Sequence, residues 1–330
     1  MIAVTGANGL LGSFIVRKLI DKNEKFVALK RSGSDTSLLQ DVADRIQWRD
    51  ADVQDEISLR ESFEGVTKVI HSAGMVSYNA RQAERVVDVN VQGTRNVVNA
   101  CLANDVKRLM HVSSVAALGR VKGQQLIAED NKWVDGSGHS VYAESKYQAE
   151  LEVFRGQEEG LSTIMVNPSV ILAPADWSKS SARLFRYVWK QSPFYTDGFM
   201  NYVDVRDVAE AVHQLLHGGE VGERFILNAG NISFKDFFDK IANRFNRKAP
   251  SIKLSKTMLT ALANVENIRT YFTDSEPLIT RETSRWAGTS FLYDNQKISK
   301  KLSFRFQPID ETVQWCCEYY IKKEQAKKSV

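Results

Sequence analysis

A chain of 330 residues is long enough for one large α/β domain with a smaller appendage, or for two domains. Its 43% hydrophobic and 25% charged residues fit an ordinary globular protein, and a net charge of +4 is too small to point to nucleic acid. The apolar runs fall far short of a bilayer span, so no membrane association is expected. The cysteines Cys101, Cys316 and Cys317 form no C-x-x-C pair, which excludes a disulfide framework or a zinc ribbon and fits a reducing, cytoplasmic setting. A first strand beginning at residue 2 would leave no room for a signal peptide.

The first twelve residues read as strand, glycine turn and helix. Residues 2–4 are an apolar run short enough for a buried parallel strand. Gly6, Gly9 and Gly12 follow at spacings of three, and Phe14, Ile15, Leu19 and Ile20 then recur with helical spacing. That order is the phosphate-binding unit of a doubly wound α/β fold. Glycine lets a pyrophosphate approach without meeting a Cβ, and the helix behind offers free N–H groups and a positive dipole end. Gly6, Asn8, Gly9, Leu10 and Gly12 are the expected contacts.

Residues 26–29 read as the second strand. At its end a dinucleotide fold selects its cofactor: an acid binds the ribose 2′-hydroxyl of NAD, a cation the 2′-phosphate of NADP. Lys30 and Arg31 stand there, and Asp35 lies too far past the strand, so NADP(H) is preferred over the alternative, NAD(H). Residues 46–53 predict a third strand and residues 69–74 a fourth, whose small Ser72, Ala73 and Gly74 leave room for the cofactor near the reversal of strand order. The loop 75–81 that follows is placed to touch substrate. A long helix is expected over 83–103, with Asn90 as a satisfied or exposed polar residue. A fifth strand, a helix and a sixth strand are expected over 109–114, 141–157 and 161–167, ending at Pro168. Beyond residue 173 the strand–helix rhythm breaks, and Trp177, Phe185, Tyr187, Trp189, Phe194, Tyr195 and Phe199 crowd one short stretch. A seventh strand is expected at 225–228, and helices at 233–245, 257–271 and 309–323.

The chemistry concentrates in Ser114 and Tyr142-Ala143-Glu144-Ser145-Lys146. Positions i and i+4 lie one turn apart on a helix, which sets the Tyr142 phenol beside the Lys146 ammonium. With Ala143, Tyr147, Leu151 and Phe154 as the core stripe, the pair points off it into a cleft. A nearby ammonium lowers the phenol's pKa from about 10 and lets it act as general acid or base, while Ser114 holds the same substrate oxygen.

In order and spacing, Thr5-Gly6-x-x-Gly9-x-x-Gly12, Ser113-Ser114, Tyr142-x-x-x-Lys146 and residues 167–174 resemble the extended short-chain dehydrogenase/reductase family, also called the NAD-dependent epimerase/dehydratase superfamily. The pattern is closest to dihydroflavonol 4-reductase-like bacterial proteins and covers most of residues 1–230. The resemblance implies a Rossmann-type doubly wound parallel sheet with a smaller mixed α/β substrate part. Residues 1–172, completed by about 201–230, would bind the dinucleotide; 173–200 and about 231–330 would bind substrate. It implies that Asp52 and Val53 meet the adenine, that Asn90 supports the active site, that the backbone of Pro168, Ser169 and Val170 meets the nicotinamide amide, and that Lys146 also contacts the nicotinamide ribose. The family's usual glycine at 173 is alanine here.

Three functions remain: an NADP(H)-dependent reductase of a small carbonyl substrate with Tyr142 as proton donor, a nucleotide-sugar epimerase with tightly held NAD, and a non-catalytic dinucleotide sensor. Lys30 and Arg31 favour the first, since a reductase exchanges its cofactor each turnover. Arg269, Arg281 and Arg285 could clamp a nucleotide diphosphate, which would suit the second. Val115-Ala116 in place of an Asp-Glu pair disfavours a sugar dehydratase. Helices 83–103 and 141–157 could pair across a two-fold axis in a homodimer. His213 and His217 lie at i and i+4, but Gln214 replaces a zinc protease's glutamate and no third ligand stands out, so no metal site is expected. Cys316 and Cys317 are expected to divide between core and rim.

Overall fold

The computed structural model describes residues 1–120, 123–135, 138–177, 181–272 and 291–328. In chain order its strands are β1 (Ile2–Thr5), β2 (Phe26–Lys30), β3 (Trp48–Asp50), β4 (Lys68–His71), β5 (Arg108–Val112), β6 (Leu126–Ile127), β7 (Thr163–Pro168), β8 (Val170–Leu172), β9 (Phe194–Tyr195), β10 (Phe199–Asp204), β11 (Glu223–Leu227), β12 (Gly230–Ser233), β13 (Ile252–Lys253) and β14 (Leu292–Tyr293). Seven of them form one parallel sheet in the order β11-β7-β5-β4-β1-β2-β3. The sequence runs outward from β1 in both directions, so strand order reverses between β1 and β4. In open α/β sheets ligands bind outside the carboxyl ends of the strands at such a reversal.

Both faces of the sheet are covered, which is why the inner strands are apolar without alternation. Val4, Ala28, Ile70, Met110 and Val166 face α1 (Leu10–Asp21) and, later in the chain, Val208, Val212 and Leu215. Ala3, Val27, Val69, Leu109 and Met165 face the other way. They meet Leu59 of α2 (Glu56–Ser62), a helix capped by the Asp55 carboxylate and absent from the sequence reading. The expected long helix is interrupted: α3 (Ala83–Val87) leads through a π-helical turn, Asp88–Gln92, into α4 (Gly93–Ala103). Such turns recur at functional sites, and this one carries Asn90. Helix α5 (Val141–Glu158) packs on α4 within the same chain, close enough that a Cβ on Gly156 would sit 2.6 Å from Val98 Cγ1. The two helices that could pair across a two-fold axis thus also pack on each other within one chain.

Strand β3 is shorter than the expected 46–53. Gln54 N donates to Asp52 Oδ1 and Asp55 N to Asp52 O, so the chain is already turning at Asp52.

A separate core involves α6 (Ala182–Trp189), α8 (Phe234–Phe245) and α11 (Ile309–Lys328), while α7 (Val205–His217), α9 (Lys256–Phe272) and α10 (Gln296–Leu302) run between them in the chain. Trp177 stacks on Tyr320 at 4.0 Å, Phe185 packs edge-on to Phe237, and Trp189 meets Phe245. From the aromatic stretch after residue 173, Trp177, Phe185 and Trp189 thus serve packing. Cys316 and Cys317 are both buried here, not divided between core and rim, because α11 is covered on two flanks. Helix α8 covers one, and Thr312 donates to Asp204 at the β10–α7 corner on the other. Among the described residues, no helix is long and apolar enough to cross a membrane.

Candidate active site

Strand β1 delivers the chain into the glycine turn. Gly6 has φ +65°, and a Cβ there would lie 2.6 Å from Ala73 Cα; a Cβ on Gly12 would lie 2.0 Å from Gly6 O. Both glycines are demanded by the fold itself. Gly9 is different: it is exposed, and a Cβ would meet only Gly6 O, at 3.2 Å. As the N-cap of α1 it makes no side-chain cap, so the first N–H groups of the helix remain available to an anion. These features fit a pyrophosphate. Leu10, the first helical residue, leans on the core around Trp177, and Asn8 Nδ2 donates to Asp35 O at 3.0 Å, tying the turn to the loop after β2. Gly9→Val should block dinucleotide binding while leaving the fold intact. Circular dichroism and calorimetry check this, and a folded variant with unchanged affinity would refute the placement.

Beyond β2 lies a cleft of about 600 Å³ lined by Arg31, Ser32, Gly33, Ser34, Asp50 and Asp52, among others. Lys30 is not among its walls. Its ammonium donates to Asp50 Oδ1 at 2.7 Å, which draws the Asp50 carboxyl below its ordinary range. The two adjacent cations expected at a 2′-phosphate are thus separated, with Arg31 on the cleft and Lys30 engaged. Asp35, the other acid nearby, accepts from Ser37 N and Ser37 Oγ and closes its own turn. Asp52 reaches the cleft, whereas the Val53 side chain lies where a Cβ on Gly93 would touch it, at 2.9 Å.

The carboxyl end of β4 connects this region to Tyr142 and Lys146. Ser72 Oγ donates to Thr5 O at 2.8 Å, and Ala73 N donates to Thr5 Oγ1 at 3.3 Å. Gly74 stands over Asn90 and Lys146, where a Cβ would be 3.3 Å from Asn90 Oδ1 and 3.9 Å from Lys146 Nζ. Asn90 is buried and fully used: its Oδ1 accepts from Met75 N, and its Nδ2 donates to Met75 O and Ser145 Oγ, all within 2.8–2.9 Å. It therefore fastens the loop after β4 to α5.

Ser140 caps α5, and the helix carries Tyr142 and Lys146 one turn apart. Ser114 stands where β5 gives way to a short 3₁₀ turn. Its hydroxyl accepts from Ala116 N and lies near enough to the Tyr142 phenol to hold the phenol's pKa down. Tyr78 meets the Tyr142 ring edge-on at 5.8 Å. Pro168 ends β7, Ser169 N donates to Leu227 O, and Val170 stands exposed at the start of β8.

Two expectations for α5 need correction. Its buried face is Ala143, Ser145, Lys146, Ala149, Glu150, Val153 and Gly156, while Leu151 is exposed and Tyr147 stacks on Trp133. Small residues let the helix settle on its polar side, so Lys146 is buried rather than pointing into an open cleft. The phenol is also not lowered by the ammonium. Burial pushes Tyr142 above its ordinary value, and the nearby Ser114 hydroxyl opposes it. Burial pushes Lys146 down to about 8, against the attraction of Glu150, and its Nζ donates to Val112 O at 2.9 Å.

Glu150 was not singled out from sequence. It is fully buried, accepts from Asn167 Nδ2 at 2.6 Å and Arg224 Nη1 at 2.9 Å, and Asn167 Nδ2 also donates to Ser114 O. The available signal was an acid four residues after Lys146 on the same helix face. Arg269 pairs with Glu266, and Arg281 and Arg285 lie outside the described residues.

Residues 2–230 match the NAD dependent epimerase/dehydratase family. The chain belongs to that family. It is an enzyme of the extended short-chain dehydrogenase/reductase kind, an oxidoreductase or epimerase that uses a nicotinamide dinucleotide. It is similar to the "Putative dihydroflavonol 4-reductase" of Synechocystis sp., at 27% identity over 97% of this chain and 96% of that one. It is also similar to cinnamoyl-CoA reductase 1 of Oryza sativa subsp. japonica, at 30% identity over 66% and 67%. Among solved structures, that of gox2253 superposes with a TM-score of 0.84 at 29% identity, covering 98% of each chain.

Proposed function

We propose that this family member is an NADP(H)-dependent carbonyl reductase in which Tyr142 delivers the proton. The observation that carries the reading is the grouping of Tyr142, one helical turn from the buried Lys146 on α5, with Ser114 at the end of β5, where burial raises the phenol's pKa and holds its proton in place. A phenol that keeps its proton is prepared to donate it to an alkoxide, the direction reduction requires. The nicotinamide, when bound, supplies the hydride. Ser114 orients the substrate oxygen beside the phenol, and Asn167 and Asn90 hold the segments on either side of it. Lys146, buried and cationic below a pH of about 8, places positive charge next to the developing alkoxide.

The substrate half is assigned to residues 173–200 and 231–330, and the cofactor half to 1–172 with 201–230. Asn79 Nδ2 donates to Thr270 O, so α9 reaches the loop that carries Tyr78. The half-exposed Tyr78 ring beside Tyr142 suits a ring-bearing carbonyl compound, and the reductase names among the relatives agree in kind.

The NADP(H) preference rests on Arg31 at the cleft. NADPH should bind more tightly than NADH, and Arg31→Ala should narrow that gap by more than Lys30→Ala does, because Lys30 is already paired with Asp50. Calorimetry measures both, and equal affinities for the two cofactors in the unmutated protein would refute the preference. Protein purified with NAD firmly retained would instead favour the epimerase reading.

A further inference from the structure

We infer that Glu24, His213 and His217 form a binding site for a divalent transition-metal ion of the zinc class, at the amino-terminal edge of the sheet. The site is remote from the glycine turn, which lies at the carboxyl end of β1, and the inference does not depend on the proposed reductase activity. His213 and His217 project from one face of α7, in its last two turns. The sequence offered no third ligand because it comes from the connection between α1 and β2, 189 residues before His213. His213 Nε2 lies 3.2 Å and His217 Nε2 2.9 Å from the same oxygen, Glu24 Oε1. The three ligand atoms all fall within 4.8 Å of one another.

Those separations match the chemistry of zinc. Bonds of about 2.0–2.1 Å to nitrogen and oxygen in a tetrahedron put neighbouring ligand atoms about 3.3 Å apart. The two measured nitrogen–oxygen distances are within a few tenths of an ångström of that edge, so the ion needs little rearrangement. Two imidazoles and a carboxylate form a borderline donor set that suits zinc better than calcium or magnesium, and a water would complete the tetrahedron. Bridging α7 to the α1–β2 connection, the ion would clip together two segments that meet only through tertiary packing.

One neighbour opposes the ion. Lys68 Nζ is 3.0 Å from His217 Nδ1. An ammonium only donates, so in the metal-free protein Nδ1 accepts and Nε2 carries the ring proton. Coordination through Nε2 moves that proton to Nδ1, where it faces Lys68, and the lysine must swing into solvent. Lys68 is therefore a built-in competitor, and removing it should strengthen binding. A plain ion pair between Glu24 and the histidines makes no such demand.

The test uses the full chain without a histidine tag, freed of metal by chelation and titrated with Zn²⁺ by calorimetry and with Co²⁺ by visible absorption. The expected result is one ion per chain, with a Co²⁺ spectrum lacking thiolate charge-transfer bands and a melting temperature that rises with Zn²⁺. His213→Ala, His217→Ala and Glu24→Gln should each weaken binding by roughly tenfold or more, the scale on which even outer-shell changes act. Lys68→Met should tighten it. Circular dichroism establishes that each variant is folded, and the conservative Glu24→Gln and Lys68→Met carry the decision if a histidine variant is not. Absence of stoichiometric binding, binding indifferent to Glu24→Gln, a thiolate band, or weaker binding in Lys68→Met would each overturn the site.

Discussion

Tyr142→Phe should lower turnover by about 10²–10⁴-fold while leaving dinucleotide affinity nearly unchanged, because it removes the proton donor and little else. The ring stays, its edge contact with Tyr78 stays, and the atom lost is the phenol oxygen next to Ser114. Lys146→Met should behave differently. Methionine fills much of the same space but removes a buried cation and its bond to the Val112 carbonyl, so both turnover and cofactor affinity should fall. The measurement is steady-state kinetics on any carbonyl substrate found by screening NADPH oxidation, with calorimetry for the cofactor. A Tyr142→Phe enzyme with near-normal turnover would remove Tyr142 as donor and leave the non-catalytic sensor, or another acid, as the better reading.

The second large effect is acid destabilisation centred on His71. Thr94 Oγ1 donates to Asn90 O at 2.6 Å, so toward His71 Nε2, 3.1 Å away, it accepts. Nδ1 then accepts from Thr5 Oγ1 at 2.8 Å, and Thr5 Oγ1 accepts in turn from Ala73 N. Every proton in the chain is used once, and it requires a neutral imidazole. Burial, and secondarily the charge on Lys146, holds the His71 pKa down at about 3. In the unfolded chain it returns to about 6.5. The folded pKa is the lower one, so between those values the unfolded state binds more protons and stability falls as pH falls. The loss is nil well above pH 6.5 and grows by up to about 1.4 kcal/mol per pH unit, reaching the order of 5 kcal/mol near pH 3. His111 lies opposite in the register with β5, its ring 5.2 Å away, and is held down for the same reason. Its two ring nitrogens have no hydrogen-bond partner among the described residues. Urea midpoints of the unmutated protein and of His71→Asn, measured from pH 7 to pH 4, test this. The variant should start less stable and lose less on acidification, and parallel slopes would show that His71 is not the titrating group.

The amino-acid sequence by itself determined the features that depend on local periodicity and spacing. Three glycines at intervals of three between an apolar run and a helical pattern admit few structures, because Gly6 needs a positive φ and Gly12 must pass against the Gly6 carbonyl. Tyr142 and Lys146 had to share a helix face, since that follows from 3.6 residues per turn. The parallel sheet followed from repeated buried strands alternating with helices. What tertiary structure alone decided is which partner each polar group finds and which side of a helix is covered. Nothing local distinguishes Lys30 from Arg31; Asp50, one strand over, engages the first and leaves the second on the cleft. Helix α5 buries Lys146 and Glu150 and exposes Leu151, the reverse of what hydrophobicity predicts. Its small residues fit against α4, and Arg224 and Asn167 arrive to satisfy the buried carboxylate. Trp177, Phe185 and Trp189 became part of a core only because α8 and α11, far along the chain, close over them. Glu24 likewise meets His213 and His217 only through the packing of α1 against α7. In each case the outcome depends on neighbours in space, which leave no trace in the spacing along the chain.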